Sequence, residues 1–215
     1  LTKDLTTNAI VELMLGRAFN EALDRSGRTI GEVILRADGL TEKTGLVQDI
    51  RMEVRAGEIV GISGLVGAGK TELCKTLYGA MGEANGTLEI NGRPVKLKSP
   101  LQAVKAGLAL IPEERRKEGI IIGESVANNL SMATIDKYTR LFSFVDRKQE
   151  VEAAKKKIAD VKIKTPTPYQ SIEYLSGGNQ QKVTIGKWLD SDASVYIFDE
   201  PTKGIDVGAK QDVYK

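Results

Sequence analysis

The chain has 215 residues, 41% hydrophobic and 28% charged, the balance of an ordinary globular protein with one sizeable core or two small ones. Lysine plus arginine (31) nearly cancels aspartate plus glutamate (29), and a net charge of +2 lacks the concentrated basic surface of a nucleic-acid binder. Without a histidine there are no His-based metal sites or catalytic triads within the chain, and the single Cys74 excludes an internal disulfide and fits a reducing compartment.

In chain order, residues 7–23 carry Ile10, Leu13, Met14 and Ala18 at helical spacing. Residues 25–28 read as a linker, and 32–37 and 47–54 as strands. The short apolar run 58–63 is expected to be a buried strand, followed by a glycine-rich loop and a helix over 70–80. Residues 87–90 and 95–97 flank Asn91-Gly92, a hairpin signal, and Ser99-Pro100 opens another helix. Residues 108–111 form a further apolar strand. From about 113 to 190 the character turns helical: a charged helix over 146–161 with Val151, Ala154 and Ile158 on one stripe, a Thr165–Pro168 linker, and a helix over 178–189. Val195 to Phe198 is again a buried strand, ending in Asp199-Glu200. The basic runs 115–117 and 155–157 read as solvated faces. No apolar run approaches the ~20 residues that span a bilayer, and no signal-peptide pattern opens the chain, so any membrane role is expected from the cytoplasmic side.

Two segments carry phosphate chemistry. Gly64-Leu-Val-Gly67-Ala68-Gly69-Lys70-Thr71 matches G-x-x-x-x-G-K-[ST] between an expected strand and helix. Glycines let successive N–H groups face phosphate oxygens, and the helix N-terminus adds its positive dipole end. Lys70 is expected to reach the β- and γ-phosphates of ATP, and the Thr71 hydroxyl to ligate Mg²⁺. Asp199 and Glu200 close an apolar strand at the edge where ligands sit in open α/β sheets. Asp199 would hold the metal, and Glu200 would orient or deprotonate an attacking water.

Leu175-Ser176-Gly177-Gly178-Asn179-Gln180-Gln181, some 20 residues before the acidic strand, resembles the signature motif of ABC proteins. That resemblance implies an α/β, P-loop NTPase fold of the ABC ATPase kind, with a RecA-like core, an antiparallel β-subdomain and a helical insert. It implies ATP turnover with Mg²⁺, with Ser176, Gly177, Gly178 and Asn179 turned to the nucleotide of a second, head-to-tail ATP-binding domain. Glu113 stands at the Q-loop position, where the family's glutamine touches Mg²⁺ and the membrane partner, and Gly204-Ile205-Asp206 resembles the D-loop. The runs PEERRKEGI, LSGGNQQKV and DEPTKGIDVGAK look like the second ATP-binding domain of ribose, galactose and xylose importer subunits.

On that resemblance, residues 1–26 correspond to the tail helix of a preceding ATP-binding domain and a linker, and 27–112 to the β-subdomain and first half of the core. Residues 113–190 correspond to the Q-loop region and helical subdomain, and 191–215 to the acidic strand and D-loop, with the C-terminal part of the core missing. A fragment of this kind is expected to expose a sheet edge. The implied partners are the other ATP-binding domain, transmembrane permease subunits and, indirectly, a sugar-binding protein outside the membrane, but no nucleic acid. The implied location is the cytoplasmic face of the membrane. Import of a nucleoside or another small solute, or a non-hydrolytic regulatory module, is the alternative. Two departures from the family pattern stand out: Glu113 for the usual glutamine, and no aromatic residue between Asn20 and Leu77 to stack on adenine.

Overall fold

The computed structural model describes residues 9–10, 12–13, 27–140, 144–206, 210 and 213. The helix expected over 7–23 therefore lies mostly outside the described residues; within them, Ala9, Ile10, Glu12 and Leu13 are helical.

Strands β1 (Val33–Thr41) and β2 (Ile50–Arg55) begin the first layer. Helix α1 (Lys70–Leu77) follows, then the hairpin of β3 (Asn85–Ile90) and β4 (Arg93–Val95). The four strands make an antiparallel sheet in the order β2-β1-β3-β4. Its register sets Leu35 opposite Ile90 and Ala37 opposite Leu88, all four buried. The intervening Arg36 faces outward and pairs with Glu53 at 2.8 Å, so the period of two separates core from water. Asn91 and Gly92 both take positive φ (51° and 69°), the left-handed pair that a two-residue hairpin requires.

Helix α2 (Pro100–Lys105) leads into β5 (Leu108–Ile111), every residue of which is buried. After a five-residue π-turn, Arg115–Gly119, come α3 (Val126–Ser131), α4 (Arg147–Asp160) and α5 (Gly177–Gly186). The last described strand, β6 (Val195–Phe198), pairs in parallel with β5, Leu108 beside Val195 and Ile111 beside Phe198. The Asp199 amide extends this ladder, donating to the Ile111 carbonyl at 2.9 Å.

Two hydrophobic clusters result. One joins the sheets to α1 and α2 through Leu35, Leu77, Tyr78, Ile90, Leu108 and Ile111. The other packs α3, α4 and α5 around Val126, Leu130, Ala154, Ile172 and Val183. Trp188 belongs to the first cluster, and its indole N–H donates to the Leu110 carbonyl on β5 at 3.2 Å.

Three expectations fail. Residues 58–63 join no ladder, and Ile59 and Ile62 are 71% and 44% exposed. An apolar run becomes a buried strand only when a neighbouring strand takes its N–H and C=O groups, and among the described residues the one backbone bond there runs from the Glu58 N–H to the Arg55 carbonyl, within a turn. The run 155–157 is not uniformly solvated: Lys157 is buried, its ammonium donating to the Leu130 carbonyl (2.9 Å) and facing Asp190 (3.2 Å). Of the run 115–117, Arg116 and Lys117 are exposed, whereas Arg115 is half-buried with its Nε–H out of solvent.

Candidate functional site

The glycine-rich loop turns into α1 through Gly67 and Gly69, whose φ values of 81° and 82° a side chain would strain. The Lys70 ammonium folds back over the loop, donating to the carbonyls of Gly64 (3.1 Å) and Leu65 (3.2 Å). Gly64 and Ala68 line the same turn, and Leu65 and Val66 at its tip are exposed. The N–H groups of the first turn of α1 have no intrahelical acceptors, so this end of the helix favours anions.

Thr71, one residue into α1, connects the loop to the acidic residues. Its hydroxyl donates to a Glu113 carboxylate oxygen at 3.1 Å. The β5–β6 register explains why: Glu113 lies two residues past Ile111 and Asp199 one past Phe198, so both leave the parallel pair at the same end. Asp199 is buried. Burial pushes its carboxyl above the usual range, the Thr71 hydroxyl pulls it down, and the negative charges of Glu113 and Glu200 push it up again. Glu113 is held below its ordinary value first by a hydrogen bond from Lys203, then by the one from Thr71. The Lys203 ammonium forms an ion pair with Glu113 and is raised in turn.

Glu200 is exposed and sits in the left-handed region at φ 43°. That conformation is uncommon for glutamate and is the sort of local strain that accompanies functional strand ends. Thr71, Glu113 and Asp199 offer only oxygen donors, which suits Mg²⁺, an ion that takes one or two carboxylates and completes its shell with water and phosphate. Among the described residues no three Cys, His, Asp or Glu side chains form a metal cluster, so the remaining ligands would have to come from phosphate and water.

The Ser176–Asn179 segment lies at the N-terminus of α5. Ser176 is exposed and caps the helix, its hydroxyl oxygen accepting from the Asn179 N–H (3.4 Å) and side-chain amide (2.9 Å). Gly177 is half-buried and Gly178 buried, and the Asn179 side-chain Oδ1 accepts from the Lys164 N–H at 2.8 Å. Of the four, Ser176 is the one that presents its side chain to solvent. Asp206 is exposed on the segment after β6.

The turn after Glu113 is fixed to its surroundings by cations. Lys75 of α1 pairs with Glu118 at 2.7 Å. Lys187, buried and pushed down to about 8 by that burial, donates to the Gly119 carbonyl at 2.8 Å. Nearby, a cleft of about 370 Å³ is lined by Tyr78, Leu110, Pro112, Met132 and Trp188. The sequence reading missed Lys203 and Arg115. A glutamate beside a buried aspartate calls for a cation, and that requirement was the available signal for Lys203. Nothing local marks Arg115.

The family model described as "ABC transporter" matches residues 47–203. The chain belongs to this family. The ABC chain is 40% identical over 215 residues to "Ribose import ATP-binding protein RbsA 1" of Rubrobacter xylanophilus, covering 100% of itself and 43% of that protein. It is 44% identical over 211 residues to "Arabinose import ATP-binding protein AraG" of Paraburkholderia xenovorans, covering 98% of itself and 41% of the relative. It thus spans about two fifths of the length of the curated relatives it matches. In fold it superposes on the dimeric bacterial ABC transporter cassette MJ0796 with a TM-score of 0.69 at 17% identity, covering 84% of this chain and 79% of that one. A nucleotide-free ATP-binding cassette gives 0.68 at 20% identity, covering 84% and 74%. The fold is therefore that of the ABC ATPases, a P-loop NTPase fold. Among the described residues, no helix of the ABC chain is long and apolar enough to cross a membrane.

Proposed function

We propose that the chain is the second ATP-binding domain of a sugar-importer subunit and that it binds and hydrolyses ATP to drive uptake of a monosaccharide. One observation carries this reading: Thr71, at the head of the phosphate loop's helix, hydrogen-bonds Glu113 beside the buried Asp199, so loop and acidic strand end share one site. The import proteins for ribose and arabinose among the relatives support the substrate class.

The loop N–H groups and the α1 dipole hold the triphosphate, and Lys70 swings from its own carbonyls to the β- and γ-oxygens. Thr71, Asp199 and Glu113 are the residues that would hold Mg²⁺, which, when bound, neutralises phosphate charge. Glu200 orients the attacking water and takes its proton. Ser176, with the first-turn N–H groups of α5, serves a nucleotide held by a partner domain, and Asp206 contacts that domain's site. The apolar cleft at Tyr78, Pro112 and Trp188 lies close to the Glu113 turn, which suits it to receive a segment of a permease subunit at the cytoplasmic membrane face.

The test is Glu200→Gln in the full-length protein reconstituted with its permease. Turnover should fall by ~100-fold or more while ATP binding is retained. Turnover equal to the parent's would sink the role assigned to Glu200, and ATP binding unaffected by Lys70→Ala would sink the site itself.

A further inference from the structure

We infer that Arg115 is a positioning residue that ties the N-terminus of α5 to the segment after β6, holding Ser176 and Asp206 in one register toward the partner domain. The inference rests on the reading that both residues face that domain. It concerns a contact between motifs, from Arg115 in the run PEERRKEGI to Gly177 of the signature segment and to Lys203 and Gly204 after the acidic strand.

Arg115 donates through one terminal nitrogen to the Lys203 carbonyl (3.0 Å) and through the other to the Gly204 carbonyl (3.3 Å). A planar guanidinium spans two successive carbonyls in this way; an ammonium does not. The opposite side of the same group lies against α5. A Cβ added to Gly177 would stand 2.8 Å from the Arg115 Nη2 and 3.4 Å from the Gly204 oxygen. A side chain there would have to displace the guanidinium, which sits between helix start and loop.

The turn bearing Arg115 is itself attached to α5. A Cβ on Gly119 would come 2.9 Å from the Thr184 methyl, and Arg116 Nε donates to the Gln180 side chain at 3.2 Å. The Lys187 ammonium holds the Gly119 carbonyl from the same side. Segment 203–204 is attached to the turn a second time through the Lys203–Glu113 ion pair. Displacing α5 therefore pulls on residues 203–204 through Arg115. The buried Nε–H has no acceptor, so the group keeps this place despite an unmet donor, which costs free energy. Arg115's own hydrogen bonds go to Lys203 and Gly204 and not to the phosphate loop, which the Lys203–Glu113 pair reaches only through Thr71, so binding of ATP at the loop is separable from what Arg115 itself does.

The experiment compares Arg115→Ala, Arg115→Lys and Ser176→Arg in the full-length protein with its partner domain, measuring kcat, KM and equilibrium ATP binding. Both Arg115 variants should lower kcat by roughly 10- to 100-fold, the loss of two charge-assisted hydrogen bonds, with KM and ATP binding kept within about two-fold. Millimolar guanidinium ion should restore part of the turnover of Arg115→Ala, a rescue that general destabilisation would not give. If Ser176→Arg turns over normally, the reading beneath the inference fails. If Ser176→Arg is inactive while both Arg115 variants keep the parent kcat, the inference alone is overturned. Equal loss of ATP binding and turnover in both Arg115 variants also overturns it. Should Arg115→Ala fail to fold, Arg115→Lys decides: full kcat there refutes the positioning role.

Discussion

The acidic residues that look equivalent in the sequence are set apart by their surroundings. Asp199 is buried and its carboxyl is raised; Glu113 is lowered by the cation and hydroxyl it holds. A raised carboxyl binds its proton more tightly in the folded chain than in the unfolded one. Folding therefore loses stability as pH rises from the ordinary aspartate range through the raised folded value, and the loss persists at neutral pH. Asp199→Asn removes that cost. Its urea midpoint should exceed the parent's at pH 7 and converge with it near about pH 3, where both chains carry an uncharged group. An equal or lower midpoint at neutral pH would show that Asp199 is not strained by its ionisation. Lys203 matters at the same scale: its ammonium faces Glu113, so the charge of that carboxylate is met within the chain.

Single elements differ in how far their own residues determine them. Helix α4 begins at Asp146, whose carboxylate accepts from the N–H groups of Lys148 and Gln149, both at 3.2 Å. Asp146→Ala should cost about 1 kcal/mol in urea unfolding and leave ATP binding unchanged, because the apolar side chains of α4, Ala154 and Ile158, pack in the helical cluster. No loss of stability would mean that the cap is incidental. This helix was legible in the sequence because cap, length and apolar stripe are all local signals. So was the β3–β4 hairpin, where Asn91-Gly92 demands one turn. The phosphate loop and the Ser176 helix start were legible as motifs for the same reason. Residues 58–63 were misread because a short apolar run carries no record of whether another strand pairs with it. Lys157 and Arg115 were misread because their acceptors, Leu130, Lys203 and Gly204, lie far along the chain and only packing brings them close.

At the scale of the whole molecule, the parallel pair carries most of the site yet has few neighbours. Strand β6 meets β5 on one side, while Tyr196 and Phe198 stand 42% and 48% exposed. Residues 58–63, between β2 and the phosphate loop, add Ile59, Val60 and Ile62 to the exposed apolar surface. A segment that joins no ladder among the described residues and carries exposed apolar side chains is a template for another chain. The 215-residue chain on its own is therefore expected to self-associate as concentration rises. Burying one isoleucine is worth ~1.5–3 kcal/mol, and each ~1.4 kcal/mol is ten-fold in a dissociation constant. Replacing Ile59 and Ile62 together by lysine should raise the concentration of half-association at least ~10-fold in light scattering, since both apolar contacts are lost and like charges oppose each other. A parent chain that stays monomeric at high concentration would show instead that 58–63 finds its partner within the same chain. The phosphate loop would then run from a paired strand into α1, and its Lys70 and Thr71 would be placed by the sheet as well as by α1.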